Sequence, residues 1–380
     1  MKKNVIWLIV LAALVTWLLF QKRNKPSGLE SGAGPSPGTP LLSFDINQVS
    51  RMEMASSGAT STIRKVEGAW KAIELQDYPV DYEKLTRHLR QVAELRVGQV
   101  LRGGEKTLSE FGLDPAAEDK PPVGMRFFNA TGTLLGTLWI GQPRRPGSDS
   151  ANAMRPEGWY VRPNDGPVIL VEDFLGDFPQ MARDWINDTL LRIPAYSVQE
   201  VAVTASNSAY ILKRQDEKTF ALAEPDHGKD VNQAKAQQVA GALSFLSFSS
   251  AIRRGEEIAE AGFDSPEQFR AVCDDGMIYT LLLGARPDEN TRYIRLTADF
   301  KPPLPPDAAE EGAAPPDTTP EQQAAHQEKI QALQKQTSEL NSLFGAWTYV
   351  VPRYMADSML MPLKDLVSAP GAEAPPAASN

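Results

Sequence analysis

The sequence predicts an α+β body made of tandem duplicated units, each a mostly antiparallel sheet with one helix packed on it, behind a single N-terminal transmembrane helix. Three observations predict this. The chain is self-similar at an offset near 150 residues, alternating apolar runs recur in both halves, and an uncharged apolar segment stands near the start.

The opening element comes first. Val5 to Phe20 reads VIWLIVLAALVTWLLF, uncharged and with only Thr16 polar. At ~1.5 Å per residue it makes roughly 24 Å of helix, at the short end for a hydrocarbon core of ~30 Å. Trp7 and Trp17 suit the two interfaces, and the flanking lysines can snorkel. A cleaved signal peptide would need small residues after the run. Here Leu18-Leu19-Phe20-Gln21-Lys22-Arg23 is bulky and basic, and no cysteine follows nearby for lipoprotein processing. Residues 1–23 are therefore expected to be an uncleaved anchor. Lys2 and Lys3 on one side nearly balance Lys22, Arg23 and Lys25 on the other, so charge does not orient it. Residues 24–45 begin with NKPSGLESGAGPSPGTP, a flexible Gly/Pro/Ser linker.

The 380 residues allow two domains plus extras, and 42% hydrophobic with 23% charged residues is ordinary for a foldable chain. Net charge is −9; residues 1–25 carry +5, leaving −14 on the rest. An acidic body repels phosphate backbones, so no nucleic-acid partner is expected.

In the body, 46–178 is read as the first unit, 179–194 as a connector and 195–365 as the second unit. Met52 and Met54 match Val201 and Val203 in alternating strands, and Trp70 matches Phe220. Val80-Asp81 then matches Val231-Asn232, the Asp and Asn being good helix N-caps. The helices behind them share phase: Leu85, Leu89, Val92 and Leu95 in one, Ala236, Ala240, Leu243 and Leu246 in the other.

Next, Glu110-Phe111-Gly112-Leu113-Asp114 corresponds to Glu260-Ala261-Gly262-Phe263-Asp264, with Pro115 and Pro266 following. The glycines are expected in a conformation that a Cβ resists, and the aspartates in turns on their own backbone. Hairpins follow, turning at Thr131-Gly132 and Asp275-Gly276. Gly141 and Gly284 end the return strands. Trp159-Tyr160-Val161-Arg162 matches Arg292-Tyr293-Ile294-Arg295, and Val168–Val171 matches Thr348–Val351.

An insertion at about 301–345 begins Pro- and Ala-rich. It then opens a helix at Thr319-Pro320-Glu321-Gln322, with a stripe of Ile330, Leu333, Leu340 and Leu343 interrupted by Thr337. That stripe suits packing on its own domain or docking a partner. Residues 366–380 read as a disordered tail.

Chemistry is sparse. His88 is expected to be a partly exposed helix side chain, His227 a loop residue and His326 part of the inserted helix. Cys273 reads as a buried thiol. Glu256-Glu257, Glu310-Glu311 and Ser148-Asp149-Ser150 read as solvated. Phosphate-loop and dinucleotide motifs are missing from the sequence. The expectation is a non-enzyme with no catalytic residue, no cofactor and no metal ligand.

Trp70 with Ile73, Val80-Asp81 with Leu85, Glu110-Phe111-Gly112-Leu113-Asp114 and Ile140-Gly141 give the chain a family resemblance over roughly 46–365. It resembles a bacterial domain-of-unknown-function family of anchored, duplicated α+β proteins, commonly encoded beside gliding-motility-type ABC transporter genes. Pro115 stands one place earlier than in that pattern, and the second copy is degenerate at Phe220, Ala236 and Phe263. The resemblance implies residues 24–380 in the periplasm, held by the bacterial inner membrane. It further implies a non-enzymatic accessory or scaffold role beside an ABC permease, an ATPase and a larger anchored subunit. The alternatives are a tethered hydrolase acting on glycan or lipid and a self-associating structural protein.

Overall fold

The computed structural model describes residues 35–56, 59–101, 107–117, 121–145, 156–206, 208–223, 229–256, 261–302 and 320–367. The expected anchor, residues 24–34 of the linker, residues 303–319 of the insertion and residues 368–380 of the tail lie outside these residues. Leu366, expected in a disordered tail, is buried at the end of a short helix. No helix among the described residues is long and apolar enough to cross a membrane.

The first half runs β1 (Arg51–Ser56), β2 (Ala59–Val66), β3 (Ala69–Ala72), β4 (Tyr78–Pro79), α1 (Tyr82–Glu94), β5 (Gln99–Leu101), β6 (Val123–Phe128), β7 (Leu134–Arg144), β8 (Gly158–Pro163) and β9 (Val168–Val171). A connecting strand, β10 (Thr189–Leu191), follows. The second half runs β11 (Val198–Ala205), β12 (Ser208–Arg214), β13 (Phe220–Leu222), α2 (Gln233–Ala240), β14 (Leu246–Ser247), β15 (Ser250–Arg253), β16 (Glu267–Cys273), β17 (Met277–Leu283) and β18 (Thr291–Phe300). It closes with α3 (Pro320–Phe344), β19 (Trp347–Pro352), α4 (Arg353–Met359) and α5 (Leu363–Leu366). The protein is thus α+β, with mostly antiparallel sheets and few helices.

Two compact units are present. One takes the described residues of Met1–Ile46, Leu89–Pro122 and Gly136–Asp177; the other those of Asn47–His88, Val123–Leu135 and Phe178–Asn380. Within the first, strands are hydrogen-bonded in the order β7-β8-β9-β5. Within the second, one run is β4-β3-β2-β1-β6, and a separate sheet has the order β13-β12-β11-β16-β17-β18-β19-β15.

Registers repeat residue by residue. Met52 faces Ile63 and Phe127 on its two neighbours, as Val201 faces Leu212 and Ala271. Ile63 faces Ala72, as Leu212 faces Leu222. Trp159 and Val161 face Val171 and Ile169, as Arg292 and Ile294 face Val351 and Tyr349. The inward residues Met52, Met54, Val201 and Val203 are all essentially inaccessible to solvent. Alternation along each strand delivers them to one face.

Asp81 Oδ1 accepts from Lys84 N at 3.0 Å and Asn232 Oδ1 from Lys235 N at 3.2 Å, the two expected caps. Behind the second cap the helix is shorter than its stripe. It stops at Ala240, a single 3-10 turn over Gly241–Leu243 takes over, and Leu246 lies on β14. Gly241 is a poor helix former, and the buried positions are kept although the helix is not.

A second departure is β5 and β15. The sequence leads from each helix directly to the glycine turn, yet a strand intervenes and pairs with β9 or β19 at the end of the strand order. Segments of three and four residues are too short to show a period. The C-terminal turns α4 and α5 were likewise unanticipated; they bury Met355, Ala356, Met359 and Leu366.

The described part of α3 resolves the two readings of its stripe in favour of packing. Leu333, Leu340 and Leu343 pack against the second unit's core. Asn341 fixes the phase: its Oδ1 accepts from Ala298 N at 2.8 Å and its Nδ2 donates to Ala298 O at 2.6 Å. β19 pairs only with Thr291–Ile294 of β18, so Asn341 serves a stretch of β18 that has β17 alone as a strand partner. Asn341→Ala is expected to destabilise by about 1–3 kcal/mol, because a half-buried peptide loses both partners. Urea denaturation read by circular dichroism checks this.

Candidate functional site

The site starts from the glycine turns. Gly112 and Gly262 have φ of 63° and 75°, the left-handed region expected for both. A Cβ on Gly141 would stand 2.3 Å from Phe111 O, and one on Gly284 2.2 Å from Ala261 O. Both turns therefore press their backbone onto a return strand, where only glycine fits. Gly284 directly follows β17 as expected, but β7 runs on past Gly141 to Arg144, which corrects the expectation that Gly141 ends its strand. Asp114 closes its turn as expected. The Ser109 hydroxyl at 2.7 Å and Ala116 N–H at 3.0 Å hold its carboxyl below the ordinary range.

An open cleft of about 380 Å³ lies beside the second turn, lined by Ser206, Ser265, Glu267, Ala285, Arg286, Arg292 and the glycines Gly262 and Gly284. Arg292 is largely buried. It donates from Nε to Gly284 O at 2.9 Å and from Nη2 to Glu267 Oε2 at 2.5 Å. Glu267 Oε1 also accepts from Ser206 N at 3.1 Å. Burial by itself would raise the Glu267 carboxyl; the Ser206 N–H and the Arg292 guanidinium outweigh it and hold the group below its ordinary value. Arg286 is more exposed and meets Asp357 at 3.6 Å.

A depressed carboxyl stabilises the fold above its unfolded value, ordinarily about 4.3. That contribution is lost as pH falls through the lower folded value. Glu267→Gln is therefore expected to flatten the acid limb of stability against pH, as read by urea midpoints across the acidic range.

The other groups weighed in the sequence are placed as follows. His88 is buried, correcting the expectation of partial exposure: its ring lies 4.9 Å from Phe178 and 5.6 Å from Trp185. Val239, at the matching place in the second helix, is fully buried too, and was the available signal. Cys273 is a free, buried thiol, pushed up to about 12 chiefly by burial. Exposed His326 lies on α3. His227, Ser148-Asp149-Ser150, Glu257, Glu260 and Glu310-Glu311 lie outside the described residues. Among the described residues, no group of three or more His, Cys, Asp or Glu side chains could hold a metal ion.

Sequence reasoning missed the cleft. Glu267 and Arg292 are 25 positions apart, and nothing in their local patterns links them.

Fold and site together define an α+β protein of mostly antiparallel sheets that carries, among its described residues, a polar, arginine-bearing cleft. The chain belongs to the DUF4340 family, a domain of unknown function, whose sequence profile matches residues 70–266. No curated protein and no solved structure matches it.

Proposed function

We propose that this protein is a membrane-anchored, non-enzymatic accessory subunit of an ABC-type, gliding-motility-like envelope transport system, acting through protein–protein contacts. Residues 1–23 would be a single-pass inner-membrane helix and 24–380 would lie in the periplasm. The observation that carries the reading is the uncharged run Val5–Phe20, followed by a Gly/Pro/Ser tether and then a folded body. The sequence contains no phosphate-binding loop, so a partner ATPase would supply the energy.

Sheet edges favour contacts through side chains over strand addition. On β13, Phe220 N donates to Gln233 Oε1 at 2.8 Å and Phe220 O accepts from Gln233 Nε2 at 3.0 Å. On β15, Arg253 N donates to Gln76 Oε1 at 2.7 Å. Such side-chain bonds blunt an edge against pairing. Tyr82, Tyr196 and Tyr354 are all exposed, and tyrosine is prominent among side chains that dominate binding energy.

The body is, in this reading, a tandem duplicate. Supporting it are the shared strand orders, the equivalent registers, the paired caps and the two glycine turns.

Two measurements test the proposal. A reporter fused after Asn380 is expected to be active only outside the inner membrane; activity in the cytosol overturns the topology. Crosslinking and pull-down of the full chain is expected to recover a permease or an ATPase. Recovery of further copies of this chain alone points instead to a self-associating structural protein.

A further inference from the structure

We propose that the cleft beside Gly262 and Gly284 binds a small oxyanion, the carboxylate or phosphate group of a soluble ligand, between Arg292 and Arg286. The inference goes beyond the accessory role and does not depend on it. It starts from the two glycine turns, which share their backbone contacts but differ in side chains.

By register, Val123 stands where Glu267 stands, each two places before a residue that faces β1 or β11 (Met125 and Phe269). Trp159 stands where Arg292 stands, and Gln142 follows Gly141 as Ala285 follows Gly284. The first turn therefore forms with a valine and a tryptophan, so the turn itself does not require the Glu267–Arg292 pair. Burying an ion pair rarely adds stability over apolar residues of similar size, so the pair calls for another explanation.

Its geometry supplies one. Glu267 and Gly284 O hold the Arg292 guanidinium by two of its nitrogens, and Nη1 has no partner among the described residues. An oriented guanidinium is the preferred donor to carboxylate and phosphate. Arg286, which also meets Asp357 at 3.6 Å, adds a second guanidinium to the lining, and Ser206 and Ser265 line the same cleft.

The space also differs. In the first turn the Gln142 side chain lies against Gly112, within 3.2 Å of where a Cβ would be, and its amide donates to Glu110 O. Ala285 has only a methyl group, and the corresponding space stays open at a volume within the range of small-molecule sites.

The test titrates the detergent-purified full chain with inorganic phosphate and, separately, with acetate, at ionic strength matched with chloride, by calorimetry and thermal unfolding. Saturable binding of at least one anion is expected; stronger phosphate binding assigns a phosphate ligand, stronger acetate binding a carboxylate. Arg286→Gln is expected to weaken it about ten-fold, the scale of one hydrogen bond to a charged group. Ala285→Gln fills the cleft as the first turn does; it is expected to abolish binding with the ligand-free unfolding midpoint unchanged. Binding no stronger than that of chloride overturns the proposal, as does undiminished binding by a folded Ala285→Gln protein.

Discussion

Trp185→Ala is expected to remove about 3–5 kcal/mol of stability, the range for emptying a fully buried large aromatic site. Trp185 is wholly inaccessible to solvent. Its indole N–H donates to Met54 Sδ, and the His88 ring meets it edge-on at 5.6 Å. Its carbonyl accepts from Asp81 N at 2.8 Å, so the same residue holds the N-cap of α1. Lys84 Nζ secures the segment on either side, donating to Asp184 O at 2.7 Å and Ile186 O at 3.0 Å. Truncation would therefore leave a cavity and strand a buried sulfur at once. A loss of that size is a large share of the 5–15 kcal/mol typical of a folded domain. Equilibrium urea unfolding measures it. Tyr196→Ala, at a side chain 75% exposed, serves as the control and should stay within about 0.5 kcal/mol. A Trp185→Ala loss no greater than the control's would refute the assignment of Trp185 as a core anchor.

Gly284→Ala is expected to cost about 1–3 kcal/mol, and its cause is overpacking rather than backbone strain. Its φ is not in the left-handed region. A Cβ there would lie 2.2 Å from Ala261 O and 3.1 Å from the Phe263 ring. The backbone on both sides is pinned: Ala285 N donates to Ala261 O at 2.7 Å and Gly284 N to Tyr293 O at 2.9 Å. Neither strand can yield without breaking those bonds. Gly132→Ala gives the contrast. Gly132 has φ +83° but nothing within 4 Å of a Cβ, so only the conformational term of about 1 kcal/mol applies. Thermal unfolding of the two variants should rank Gly284→Ala below Gly132→Ala; the reverse order would refute the close approach at Gly284.

Much of this architecture was legible because it is local. Met52 and Met54 alternate within one strand, Asp81 and Asn232 stand just before their helices, and Gly112 and Gly262 mark tight turns within five residues. Each is a relation between neighbours in the chain, where propensity and period act. Asn129 escaped notice although it is local. Its Oδ1 accepts from Thr131 N at 3.0 Å and Thr133 N at 2.8 Å, organising the hairpin credited to Thr131-Gly132. Asn341 and Gln233 escaped because each satisfies a backbone group on another element, and an amide in a helix carries no mark of what it will meet.

By itself, then, the amino-acid order determined the α+β class, the antiparallel strands, the helix caps and the two glycine turns, since these follow from contacts a few residues long. Tertiary structure alone decided that Tyr78 packs 4.9 Å from Trp347, that His88 is buried, and that Glu267 and Arg292 meet in the lining of a cleft. Those outcomes depend on which distant segments are brought together. Burial and charge pairing are properties of the assembled neighbours, and no local pattern encodes who they will be.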